Sequence, residues 1–264
     1  MVYEKIKLGI GNAYLTVIKP IGLKNNEAML VIPGGGYNVV CDDREGEPIA
    51  ITFASKGFTS FILEYSIREA AKGHQPLMEA SAAIAFIREN ADKYGIDAEK
   101  VYAVGFSAGG HLAGSLATMW HRKEIYEKTG ISYGSNRPNG VILCYPVVTG
   151  LENAHKESFY NIIGSTTPSK EQLTYYSVEK QVDENTAPAF IMHTANDTIV
   201  PVENALYLAE SYSKAKIPFE LHIYPDGPHG LALANEVTEC GNPDWIRPQA
   251  ARWVDDAIKF LRAL

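Results

Sequence analysis

The chain has 264 residues, 46% of them hydrophobic and 21% charged, with a formal net charge of −7 at pH 7. That length buries a sizeable core in one domain, and the balance is that of an ordinary globular chain rather than a fibrous or low-complexity one. The acidic excess and the lack of a long Lys/Arg run exclude a nucleic-acid backbone binder, and without 18 consecutive apolar residues no membrane partner is expected.

The first twenty residues, MVYEKIKLGIGNAYLTVIKP, have no apolar core between a basic segment and a small-residue cleavage site, which reads as a cytoplasmic chain. Apolar runs rich in β-branched and aromatic residues then recur: YLTVIKP (14–20), AMLVIP (28–33), TSFILEYS (59–66), KVYAVGF (100–106), GVILCYP (140–146), PAFIMHT (188–194) and FELHIYP (219–225). Each reads as a strand, and most end in Pro, Gly or Ser. Helical patterns lie between them. From Pro76 to Tyr94, Leu77, Ala80, Ile84, Ile87 and Ala91 share one face, with Pro76 at the start and Gly95 after the end. Val202 to Ala215 and Pro248 to Leu264 are further helix candidates. Strand–helix alternation predicts an α/β fold in a single domain over 1–264, with a mostly parallel sheet covered on both faces and function at the carboxyl ends of its strands. The segment from about 147 to 187, rich in Ser, Thr and Tyr with weak helical periodicity, departs from this rhythm and reads as a short cap-like insert over the site. Cys41, Cys144 and Cys240 form no CxxC pattern and suit reduced thiols.

The stretch GFSAG, Gly105 to Gly109, matches GxSxG, and its context gives the match weight. An apolar run enters it and the plausible helix GGHLAGSLATMW leaves it, so Ser107 would stand at a sharp strand-to-helix turn with its hydroxyl projecting above the sheet. A serine that merely caps the helix is the structural alternative. A nucleophilic serine needs a base and an orienting acid. His229 stands in YPDGPHGLAL on a Gly/Pro-rich loop directly after the last apolar strand, unlike His193 and His222 inside strands or His111 on the helix after the serine. Asp197 lies three residues beyond the run PAFIMHT; Asp226, only three residues before His229, has its more natural role in the turn. The order Ser107, Asp197, His229 is that of the α/β-hydrolase fold. Gly34, Gly35 and Gly36 follow an early strand, where two backbone N–H groups together with that of Ala108 would hold an oxyanion.

With PGGGY, GFSAGG, HTANDTIVP and PHGL, the chain resembles the α/β-hydrolase superfamily, within it the acetyl esterase/lipase group related to hormone-sensitive lipase, and most of all the small carbohydrate esterases that include acetylxylan esterases. The resemblance implies Ser107 as nucleophile, His229 as base, Asp197 as its acid, and Gly35, Gly36 and Ala108 as oxyanion donors. One departure stands out: the common HGGG appears here as Pro33 followed by three glycines, so the histidine that often buttresses that turn is absent. Tyr37, Phe106, Tyr145, Pro146, Ile199 and Val200, each just past a strand or beside a motif, are expected to line the pocket. Trp245 is a lone aromatic with a place either against a sugar ring or in the core. The expected substrate is a small-molecule or oligosaccharide ester, with acetyl esters of carbohydrates foremost. The rivals are a feruloyl or general carboxylesterase and a prolyl-oligopeptidase-like peptidase. The chemistry requires no metal or organic cofactor, and no HExxH-like ligand pattern is present.

Overall fold

In the central strands, alternate side chains enter two different helical layers, which is why these strands are apolar throughout rather than alternating. The computed structural model describes residues 3–20, 22 and 25–264. Its eight strands are β1 (Tyr3–Lys7), β2 (Tyr14–Ile18), β3 (Ala28–Ile32), β4 (Thr59–Glu64), β5 (Val101–Phe106), β6 (Val141–Cys144), β7 (Ala189–Thr194) and β8 (Phe219–Tyr224). They form one sheet in the order β1-β2-β4-β3-β5-β6-β7-β8. Strand β2 runs antiparallel to both its neighbours, and every other pairing is parallel.

Among the described residues ten α-helices accompany them: α1 (Asp42–Glu45), α2 (Glu47–Ser55), α3 (Gln75–Glu89), α4 (Ala91–Tyr94), α5 (Ala108–Met119), α6 (Lys123–Thr129), α7 (Lys156–Ile163), α8 (Lys170–Tyr176), α9 (Glu203–Ala215) and α10 (Trp253–Ala263). On one face Leu30 and Ile32 of β3, with Ala103 of β5 and Ile191 of β7, pack with Leu77 and Ile84 of α3, Leu112 and Leu116 of α5 and Leu208 of α9. On the other, Met29 and Val31, with Val104, Phe106, Ile142 and Met192, pack with Phe53 of α2 and Trp253, Ile258 and Leu261 of α10. Of the five residues expected to share a face, Leu77, Ala80, Ile84 and Ile87 of α3 belong to the first layer, and Ala91, the first residue of α4, packs at its margin.

The parallel register sets Phe106 opposite Cys144 and Cys144 opposite Met192. The carboxyl ends of β5 and β6 are therefore level, β7 runs two residues further, and the loops beyond all three leave the same edge of the sheet.

Several elements differ from the sequence reading. Strand β1, YEKIK, carries alternating charges at the sheet's edge, and so lacks the apolar signal of a buried strand. Helices α1 and α2 follow the glycine turn; Gly46 and Pro48 look like breakers, but Pro48 sits in the first turn of α2, where no N–H partner is lost. The 76–94 helix is interrupted at Asn90, and the C-terminal helix begins at Trp253 after the 3₁₀ turn Ala250–Arg252. The 147–187 segment holds α7 and α8, eight and seven residues long, too short to show much periodicity. Among the described residues no helix is long and apolar enough to cross a membrane.

Candidate active site

Strand β5 ends at Phe106 and α5 begins at Ala108, so Ser107 alone makes the turn, with φ 52° and ψ −117°. That conformation is costly for any residue with a Cβ and persists only where surroundings hold it. They do so here: the Ser107 N–H donates to the Cys144 carbonyl at 3.0 Å, and its own carbonyl accepts from the N–H groups of Val147 at 3.0 Å and His111 at 3.1 Å. The glycines of the motif are demanded by close approach. A Cβ on Gly105 would lie 2.2 Å from the Gly109 carbonyl oxygen, and one on Gly109 would lie 2.2 Å from that of Ile32 in β3.

Ser107 Oγ lies 2.8 Å from His229 Nε2, and His229 Nδ1 lies 2.6 Å from Asp197 Oδ2. Because a carboxylate only accepts, Nδ1 carries the imidazole proton and Nε2 presents a lone pair to the serine hydroxyl. The loop before His229 is fastened to the end of β7: the Thr194 hydroxyl donates to the Gly227 carbonyl at 2.7 Å and the Gly227 N–H to Asn196 Oδ1 at 2.9 Å. Asp226 is occupied elsewhere, accepting from Asn196 Nδ2 at 2.6 Å and Arg247 Nε at 2.7 Å. It belongs to the turn.

Asp197 is buried, and Oδ1 accepts the N–H groups of Ile199 at 2.9 Å and Val200 at 3.0 Å. Its Oδ2 also lies 3.4 Å from Nε2 of His193, a fully buried residue of β7 whose Nε2 is 2.9 Å from the Val200 carbonyl. Burial pushes the Asp197 carboxyl up, but hydrogen bonding to His193, to His229 and to the Val200 N–H outweighs it. The carboxyl is held well below the usual carboxylate range.

The glycine turn lies against the serine: a Cβ on Gly34 would stand 3.0 Å from that of Ser107. Gly35, at φ 123°, lets the turn close on Val39, whose carbonyl oxygen would be 2.2 Å from any Cβ there. The Gly34 N–H donates to Glu45, while those of Gly35 and Gly36 donate to no described residue. The Ala108 N–H, at the first position of α5, has no partner within the helix.

Of the residues expected to line a pocket, Tyr37, Phe106, Tyr145, Pro146 and Val200 are buried, and Ile199 is 53% exposed. Phe106 packs in the second core layer, Val200 sits with Val147 and Phe159, and Tyr37 bonds His111 Nδ1 through its hydroxyl at 2.7 Å. The Tyr145 ring stands edge-on to the His229 ring, with centroids 5.0 Å apart. Trp245 is half-buried at the margin of the second layer, and the Arg44 guanidinium lies 4.1 Å over its ring.

A profile of the BD-FAE family matches residues 17–212, about three-quarters of the chain. The chain belongs to the BD-FAE family. Its fold is that of the α/β hydrolases. It is similar to endo-1,4-beta-xylanase B of Butyrivibrio fibrisolvens, 45% identical over 80% of this chain and 33% of that protein. It is also similar to the acetylxylan esterase of Xylanibacter ruminicola, 30% identical over 79% of this chain and 42% of that one. The chain thus spans less than half the length of these curated relatives. Among solved structures, an acetyl ester-xyloside bifunctional hydrolase from Caldicellulosiruptor lactoaceticus superposes with a TM-score of 0.80 at 31% identity, covering 97% of each chain.

Sequence reasoning missed three residues of this BD-FAE site. Glu45, 2% exposed, lies beneath the glycine turn; only its position eleven residues past Gly34 could have marked it. His155 and Ser158 come from the insert, hydrogen-bonded Nδ1 to Oγ at 2.9 Å, with Ser158 Oγ 3.8 Å from where a Gly36 Cβ would be. Burial and then the nearby His229 push the His155 imidazole down. Neither His155 nor Ser158 carries a motif. Among the described residues no three His, Cys, Asp or Glu side chains gather as metal ligands.

Proposed function

We propose that the chain is a carboxylic ester hydrolase working through a Ser107 acyl-enzyme, with acetyl esters of carbohydrates as its substrates. The observation that carries this reading is the continuous hydrogen-bonded row from Ser107 Oγ through His229 to Asp197 Oδ2, beside a glycine turn with free N–H groups. His229 Nε2 takes the hydroxyl proton as Ser107 Oγ attacks the ester carbonyl. The carbonyl oxygen gains negative charge, and the N–H groups of Gly35, Gly36 and Ala108 face it. The same imidazole then returns the proton to the departing alcohol oxygen. In the second half it draws a proton from water, whose oxygen attacks the acyl carbon and frees the acid and Ser107. Asp197 fixes the tautomer and balances the imidazolium that forms in each half.

The substrate class draws support from the named relatives, two of which bear acetyl-ester names and all three xylan- or xyloside-related ones. The 147–187 segment is read as a short cap: Asn161 Nδ2 of α7 donates to the Gly36 carbonyl at 2.8 Å, tying the insert to the oxyanion turn. The test is hydrolysis of p-nitrophenyl esters from acetate to octanoate, alongside acetylated xylo-oligosaccharides, by wild type and Ser107→Ala. The expected result is a preference for acetate and sugar deacetylation, both falling on the order of 10⁶-fold in the variant while the fold persists. Preference for long acyl chains with no sugar activity points instead to a general carboxylesterase. Near-wild-type activity of Ser107→Ala removes the mechanism.

A further inference from the structure

Pro33 occupies the position from which a histidine commonly supports this kind of glycine turn, and a different group takes up that work. Glu45 Oε2 accepts the Gly34 N–H at 2.8 Å, and Glu45 Oε1 accepts the Tyr145 hydroxyl at 2.8 Å. The Tyr145 oxygen in turn accepts the N–H of Ala232, three residues past His229, at 2.9 Å. Tyr145 also stands edge-on to the His229 ring at an interplanar angle of 71°. Both residues are buried, at 2% exposure each.

We propose that Glu45 is a positioning residue which, through Tyr145, locks the oxyanion turn and the His229 loop into one rigid unit. The proposal rests on the mechanism above. Two features make the link specific rather than a generic polar contact. First, Glu45 holds Gly34 and not its successors, so the next two N–H groups stay available to a substrate oxygen. Second, every hydrogen bond in the row points toward the carboxylate: Ala232 N–H to Tyr145, Tyr145 O–H and Gly34 N–H to Glu45. The two halves of the machinery, donor and base, come from segments almost two hundred residues apart, and this row is a direct polar path between them. Preset donors are worth most when they need not move during reaction, and small misplacement of a reacting group is expensive.

The test compares Glu45→Gln, Tyr145→Phe and the double variant with wild type, with Ser107→Ala in parallel. A glutamine keeps an acceptor for Gly34 but turns an NH₂ group toward Tyr145, whose O–H loses its acceptor. Tyr145→Phe keeps the Gly34 bond and strands the Ala232 N–H. The readouts are kcat and KM on p-nitrophenyl acetate per folded enzyme, inhibition by phenylboronic acid, which forms a tetrahedral adduct on a serine oxygen, and the melting temperature. Each single variant is expected to lose about 10- to 100-fold in kcat, short of the roughly 10²- to 10³-fold that accompanies loss of an oxyanion donor. KM should stay within about threefold, and boronate inhibition should weaken in step with kcat, since positioning acts on the tetrahedral state. The double variant should lose far less than the product of the single losses, because both act on one row. If kcat per folded enzyme is unchanged in both single variants while Ser107→Ala is inactive, the positioning role is refuted and the mechanism stands. Losses that multiply in the double variant, or that spare boronate inhibition, also refute it. Activity surviving Ser107→Ala removes the mechanism and this role together.

Discussion

At the scale of single residues, Asp197 is held by more than its contact with His229. Two backbone N–H groups and two imidazoles surround it, and together they keep its carboxyl charged despite burial. An asparagine keeps the two backbone contacts through its carbonyl but turns an amide NH₂ toward His229, which forces the imidazole into the tautomer that cannot accept the serine proton. Asp197→Asn is therefore expected to fold normally and to lose about 10⁴-fold in kcat, the size of the tautomer effect in a triad. A loss below about tenfold in steady-state kinetics would put the base elsewhere. The sequence singled out Ser107, Asp197 and His229 because each follows an apolar run, and the structure brings these three into one hydrogen-bonded row. Glu45 was not legible, because its role depends on Tyr145 and Ala232, which come to it from distant parts of the chain.

At the scale of elements, α5 is governed by contact with the sheet. Its N-terminal turn passes so close to β3 that Gly109 has no space for a methyl group: the nearest atoms are the backbone oxygens of Ile32 at 2.2 Å and Pro33 at 2.4 Å. Backbone cannot yield as a flexible side chain does. Gly109→Ala should destabilise the protein by about 1–3 kcal/mol through overpacking and depress activity by shifting Ser107, measurable as a lower urea midpoint with a lower kcat in the folded fraction. An unchanged midpoint would mean that β3 and α5 separate easily. Elements with long apolar periodicity, such as α3, were legible; α7 and α8 were not, since two turns leave little pattern to read. Their positions come from tertiary contacts, among them His111 on α5, whose Nε2 meets the Tyr176 carbonyl at 2.7 Å while its Nδ1 meets Tyr37.

At the scale of the whole molecule, two buried histidines contribute to the response to acid. Burial lowers His111 to about 4 and His74 to about 3. Both lie where the insert meets the body, His74 against Tyr175 and Tyr176, and His111 against Phe159. Their ordinary value when unfolded is about 6.5, so the unfolded chain takes up protons first as pH drops. Their contribution to stability is complete above about pH 6.5 and is lost as pH falls through about 4 and then about 3, on the order of 3 kcal/mol for His111 alone. Urea midpoints measured from pH 8 to pH 4 should fall, and His111→Gln should flatten the profile at some cost in overall stability. A wild-type midpoint independent of pH over that span would contradict this account. The fold class was legible because strand and helix periodicities alternate along nearly the whole chain, whereas β1 was hidden by the charges suited to an edge.

Ser107 and His229 are separated by 122 positions in the chain and meet only where parallel strands end side by side. During synthesis the nucleophile leaves the ribosome long before its base. On the proposed mechanism a nascent or truncated chain ending before the last strand lacks the base and is chemically silent. On that mechanism turnover waits for the loop after β8 to bring His229 to Ser107, so hydrolysis of a chromogenic ester would report in real time that refolding has docked that loop.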